Sequence, residues 1–175
     1  MLKIGAAIVV VLIAAVLLFA ATRPDSFRVM RTTSIKAPPE RIFPLINEFN
    51  RWSAWSPYEK KDPAMKRTFS GPAAGKGAVY AWEGNKDVGK GRMEIADASV
   101  PSRVVLNLDF SEPFEAHNVV DFTLEPKGDA TQVTWAMRGP MPFLSKVITL
   151  FVDMDRMVGG DFETGLANLK AIAEQ

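Results

Sequence analysis

Hydrophobic positions fall along this chain in three successive rhythms. From Ile4 to Ala21 they are unbroken, reading IGAAIVVVLIAAVLLFAA without a charged side chain. From Phe27 to Met137 they alternate with polar positions, and from Leu144 to Leu169 they recur every three or four residues. The first rhythm predicts a helix that satisfies its own backbone polar groups, and about 20 such residues cross a hydrocarbon layer. A membrane-spanning anchor is therefore expected over residues 1–22, in contact with the lipid bilayer through residues 4–21, which makes the chain a single-pass membrane protein. A cleaved signal peptide is the alternative, with Leu18 and Ala20 at the −3 and −1 positions of a cleavage site, although the run is longer than a usual leader core. Lys3 precedes the run and Arg23, Arg28, Arg31 and Lys36 follow it, which leaves the side of the membrane open.

The alternating region predicts strands. Phe27–Lys36 reads as a first strand, broken by Ala37-Pro38-Pro39-Glu40. Proline suits a helix start, and Ile42, Phe43, Leu45 and Ile46 follow at helical spacing. Phe49, Trp52 and Trp55 lie in a short helical or irregular stretch that Ser56-Pro57 ends. Strands are expected over Ala78–Glu83, Val88–Ala96, Arg103–Phe110, Glu115–Glu125 and Thr131–Met137, separated by Gly- and Pro-rich turns. Val104, Leu106, Leu108 and Phe110 share one face, as do Val120, Phe122 and Leu124, and Val133, Trp135 and Met137. Opposing faces carry Arg103, Asn107, Asp109, Glu115, His117, Asp121 and Thr134. Short turns imply an antiparallel meander with one dry face. Beyond Gly139-Pro140-Met141-Pro142 an apolar stripe from Leu144 to Leu169 predicts one helix of roughly eight turns. Gly159-Gly160 inside it marks a kink or a close backbone approach to the sheet. The expected fold class is α+β: a curved antiparallel sheet wrapped on a long C-terminal helix and preceded by the N-terminal transmembrane helix.

Composition narrows the chemistry. Lys+Arg 21 against Asp+Glu 20 leaves a formal charge of +1, so no overall field favours nucleic acid. There is no cysteine and one histidine, His117, which excludes thiolate chemistry and leaves a metal centre dependent on carboxylates. Gly71-Pro72-Ala73-Ala74-Gly75-Lys76-Gly77 is one residue short of a phosphate loop and has no helix after it, so it reads as a hairpin. His117 with Glu115 on one strand face reads as a solvated outer surface rather than a general base. Asp153, Asp155, Asp161 and Glu163 do not converge on a helix, so no metal site is expected. The stretch from Arg51 to Arg92 is mainly basic and that from Glu94 to Asp129 mainly acidic, which reads as a solvated surface balanced across the sheet or, alternatively, as a basic face toward anionic lipid headgroups.

The phrases SIKAPPERIFPLINEFNRWSAWSP, FSGPAAGKGAVYAWEGN, FTLEPKGDATQVTWAM and MDRMVGGDFETGLANLK, in this order of elements, resemble the polyketide cyclase/dehydrase branch of the START-like (SRPBCC) superfamily. The likeness covers a domain at residues 27–173. It implies a helix-grip fold with an apolar cavity between sheet and terminal helix. It also implies a hydrophobic small molecule as partner (lipid, quinone or polyketide-like) and no cofactor. No catalytic signature carries over. On that footing the residues expected to line the cavity are Trp82, Met93, Leu106, Leu108, Asn118, Phe122, Trp135, Met137, Met154 and Val158. Asn118, on the same face as Val120 and Phe122, is the expected polar contact. Membrane-tethered binding is the leading expectation. The alternatives are a cyclase- or hydrolase-type enzyme using His117 or an acid such as Glu83 in the cavity, and an interaction module without ligand.

Overall fold

The computed structural model of the protein describes residues 2–175, with the side chains of residues 2–4, 6 and 7 outside the description. Helix α1 (Leu2–Ala21) leads into strand β1 (Ser26–Ile35), then three short helices, α2 (Pro39–Asn47), α3 (Trp52–Trp55) and α4 (Pro57–Lys61). Six strands follow: β2 (Lys66–Ser70), β3 (Val79–Glu83), β4 (Lys90–Ser99), β5 (Arg103–Glu112), β6 (Ala116–Lys127) and β7 (Ala130–Pro140). Helices α5 (Phe143–Ile148) and α6 (Met154–Ala173) close the chain. The strands form one sheet in the order β1-β7-β6-β5-β4-β3-β2, antiparallel throughout. This is the α+β helix-grip arrangement that the patterning predicts.

The expected transmembrane helix requires correction. Among the described residues no helix is long and apolar enough to cross a membrane. Met1 and the side chains of residues 2–4, 6 and 7, which also belong to the expected anchor, lie outside the described residues. Side chains from Ile8 to Ile13 are exposed, but α1 ends on protein: Ala20 is fully buried, and the helix packs against α5. The single-pass membrane localisation and the bilayer contact through residues 4–21 fall with the anchor.

The C-terminal stripe is also not one helix. It breaks over residues 149–153, and Asp153 restarts it by accepting a hydrogen bond from the Arg156 backbone N–H at 2.9 Å. That cap satisfies one of the donors a helix start leaves unpaired. A side chain added at Gly159 would meet the Arg31 guanidinium at 2.0 Å, so glycine lets α6 lie close on β1 there. Arg31 faces inward from β1 and is held by Glu163 at 2.6 Å and Asp155 at 2.9 Å.

The sheet's inner face, its helices and the short α3 share one core. Trp52 and Trp55 are buried in it, and their indole N–H groups donate to Ile46 and Leu45 carbonyls at 2.9 and 2.8 Å. These are carbonyls at the end of α2 that would otherwise lack partners. The outer edge of β1 is tied to the rest of the domain by side chains. Lys170 donates to the Ser34 carbonyl at 2.7 Å, Arg31 to the Met30 carbonyl at 2.9 Å, and the Lys36 N–H to Glu174 at 2.7 Å.

Candidate functional site

Register divides the inner face into cross-strand rows. One row runs Arg31, Trp135, Phe122, Val104. Around it, aromatic rings from sheet and helices seal the interior. Trp135 stacks on Phe162 at 4.1 Å and lies 4.9 Å from Phe122, with Trp55 edge-on at 5.6 Å. Gly165 permits this, since a Cβ there would stand 2.7 Å from the Trp135 ring. Trp55, Phe122, Leu106, Trp135 and Phe162 retain at most 2% exposure. The Trp135 indole N–H is buried without a partner among the described residues.

A second row lies toward the β5–β6 turn. It runs Tyr80, Met93, Leu108, Asn118, and continues to Gly139 and Phe27 on β7 and β1. Beside it lies the row Trp82, Gly91, Phe110. Here burial is incomplete: Trp82, Met93, Leu108 and Met137 each keep 8% exposure and Asn118 keeps 9%. The Asn118 amide makes no side-chain hydrogen bond among the described residues. Its Oδ1 stands 2.0 Å from where a Cβ on residue 139 would be, so only glycine leaves it room. Tyr80 is kept neutral, because burial and then its 2.6 Å hydrogen bond to Glu59 push its pKa up.

The ten expected lining residues thus separate into three groups. Trp82, Met93, Leu108 and Asn118 lie in the two rows at this open end, and Met137, in register with Val120, lies one row inside them. Leu106, Phe122 and Trp135 belong to the sealed part behind it. Met154 and Val158 are half-buried on the first turns of α6, which packs on β1. Sequence reasoning missed Phe27 and Gly139, since the glycine answers to the space that Asn118 on the neighbouring strand takes and not to a local backbone demand. It also missed Arg31, whose position in phase with Val29 and Thr33 should have marked it as inward.

The outer face carries a trough of about 540 Å³ across β2 to β6. Its walls are two rows of outward side chains, Thr68-Ala81-Arg92-Asp109-His117 and Lys66-Glu83-Lys90-Ser111-Glu115. Trp82, Gly91 and Phe110 lie between the rows. His117 Nδ1 is 2.7 Å from Asp109 and Nε2 3.4 Å from Glu115. The Asp109 hydrogen bond raises the imidazole pKa, and both ring nitrogens face carboxylates. Arg92 pairs with Glu94 on its own strand at 2.8 Å and reaches Asp109 on the next strand at 3.9 Å, and Arg103 pairs with Asp121. A second hollow of about 110 Å³ lies beside the glycine-rich β2–β3 hairpin.

The acids of α6 are each engaged separately: Asp153 as the cap, Asp155 and Glu163 on Arg31, and Asp161 on Lys61 at 2.7 Å. Among the described residues no three potential metal ligands converge.

Against known proteins, residues 26–174 match the family described as polyketide cyclase / dehydrase and lipid transport. Among solved structures, the chain is similar to protein CV1439 from Chromobacterium violaceum (TM-score 0.59, 14% identity, 87% of this chain and 99% of that one). It is similar to the ginseng major latex-like protein 151 from Panax ginseng (TM-score 0.61, 14% identity, 87% and 100%). A third similarity is to the Aha1 dimer from Colwellia psychrerythraea (TM-score 0.62, 17% identity, 85% and 96%). At such identities the likeness concerns the fold. No curated protein matches the chain by sequence.

Proposed function

The chain belongs to the polyketide cyclase / dehydrase and lipid transport family, and we propose that its domain binds a hydrophobic small molecule at the open end of the inner face. A lipid, a quinone or a polyketide-like compound has the required character. The observation that carries this reading is the grouping of Trp82, Met93, Leu108, Asn118 and Met137. They are apolar side chains of incomplete burial around one amide without a hydrogen-bond partner. Met and Trp present adaptable apolar surface, and one well-placed polar group among such a lining gives a site its orientation. Leu106, Phe122 and Trp135 form the wall behind the ligand, and Met154 and Val158 contribute from the helix side. A ligand gains by removing that remaining apolar surface from water, at about 25 cal/mol per Å².

The cyclase-type alternative finds less support. His117 and Glu83 lie on the outer face, and the inner row offers only the neutral Tyr80 phenol as a titratable group. A module without ligand is a second reading, favoured by the sealed stack of Trp55, Phe122, Trp135 and Phe162.

Native mass spectrometry of the full chain from its own host, compared with the denatured protein, tests the proposal. A small apolar molecule released in stoichiometric amount supports it. An empty protein whose melting temperature no lipid, quinone or polyketide shifts would leave the ligand-free module.

A further inference from the structure

The open end selects for the charge of its ligand as well as for its hydrophobicity. Among the described residues the Asn118 amide makes no side-chain hydrogen bond there, and it can both donate and accept but carries no charge; the unpartnered Trp135 N–H in the wall behind is likewise neutral. The cations that face inward from the sheet edges, and the buried lysine of α5, are each matched by a carboxylate. Arg31 is held by Asp155 and Glu163, and Arg67, inward from β2 opposite Trp82, by Glu59 at 2.7 Å. Lys146 of α5 is buried, but its ammonium is paired with Asp25, whose side chain is 97% exposed. A carboxylate or phosphate brought against Asn118 would lose its water and gain no free cation, which an ionised group does not tolerate in apolar surroundings. A ketone, quinone or hydroxyl oxygen loses much less and completes the hydrogen bonds that Asn118 lacks.

We infer that the site takes a hydrophobic molecule with an uncharged oxygen head bonded to Asn118, and rejects the carboxylate or phosphate form of the same body. This rests on the binding reading above. It differs from that reading in predicting a ranking among ligands of equal apolar size. Gly139 belongs to the device, because any larger residue there would push the amide out of position.

The test uses the full chain, the uncharged fluorophore N-phenyl-1-naphthylamine, and displacement by 1-dodecanol, 2-dodecanone and dodecanoate at pH 7.5. The expected result is displacement by the alcohol and the ketone at concentrations about tenfold below dodecanoate, a difference typical of one hydrogen-bonded group against one desolvated charge. In Asn118→Leu, checked for folding by circular dichroism, alcohol and ketone lose that advantage while the fluorophore still binds. The wild-type ranking needs no variant, so it stands even where Asn118→Leu does not fold. Dodecanoate displacing as well as the alcohol, and weakening in Lys146→Met, would overturn the inference in favour of an anionic head paired with Lys146. Failure of the fluorophore and of all three competitors to bind would instead overturn the binding reading itself.

Discussion

Two halves of one sheet face, built by the same alternation of residues, end in different states. In the half carrying Val104, Phe122 and Trp135, α3 and α6 deliver Trp55, Phe162 and a glycine at position 165, and the rings interlock. In the half carrying Met93, Leu108 and Asn118, each of these residues keeps a remnant of exposure, and the lining mixes Trp82, Tyr80 and Phe110 with methionine, leucine and an amide. The closed half interlocks its rings, and the other sets adaptable side chains and one polar group among them. One half is packed closed, and the other is the half to which our proposal assigns the ligand. Substitutions in the two halves should separate stability from binding.

The largest expected effect lies in the sealed half. Phe122→Ala should cost about 3–5 kcal/mol in urea denaturation, because the rings around it cannot all move into the space it leaves. A cost near that of an exposed site would erase the distinction between the halves. Gly165→Val should cost about 1–3 kcal/mol, since the new side chain meets the Trp135 ring and Pro57, neither of which can swing away. The matched pair Leu106→Ala and Leu108→Ala sharpens the comparison. Leu106 is sealed and should fall toward the upper end of the usual range of about 2–5 kcal/mol, with Leu108 toward the lower end. In the fluorophore assay the order should reverse, with Leu108→Ala the more damaging; the same order in both assays would sink the idea of a separate binding half.

The smallest effect concerns His117, on the opposite face from both halves. Its pKa in the folded protein lies above the ordinary 6.5, chiefly through the Asp109 hydrogen bond. The pair therefore adds its stability fully below that ordinary value and loses it as pH rises through the folded value. Proton NMR of the imidazole should show a raised midpoint that Asp109→Asn returns toward 6.5. Ligand affinity should not follow this titration; if it did, the outer trough would be part of the binding site.

Much of this was legible in the sequence. Alternation along Arg103–Phe110, Glu115–Glu125 and Thr131–Met137 placed Leu108 and Asn118 inward and His117 outward, because a strand leaves only two choices of face. Incomplete burial at one end of that face was not legible, since it depends on where helices distant in sequence run out. Helical periodicity also carried the apolar stripe straight through residues 149–153, although Asp153 before Met154 was a readable cap. Hydropathy alone misjudged the N-terminal run, for it registers apolar content and not the seat that Ala20 finds at the helix end. Trp52 and Trp55 were visible as aromatics, but nothing local showed that their N–H groups would close the end of α2.

The side chains fastened along β1 also bear on how the molecule behaves in a crowded solution. A sheet whose last strand offers a free row of carbonyls and N–H groups invites another chain to extend it. Here Lys170 and Glu174 from the far end of the chain, with Arg31, already occupy three of those groups. The C-terminal turn of α6 thus works as a guard against templated aggregation. A chain with Lys170→Ala and Glu174→Ala should retain its core yet become sticky along this one edge.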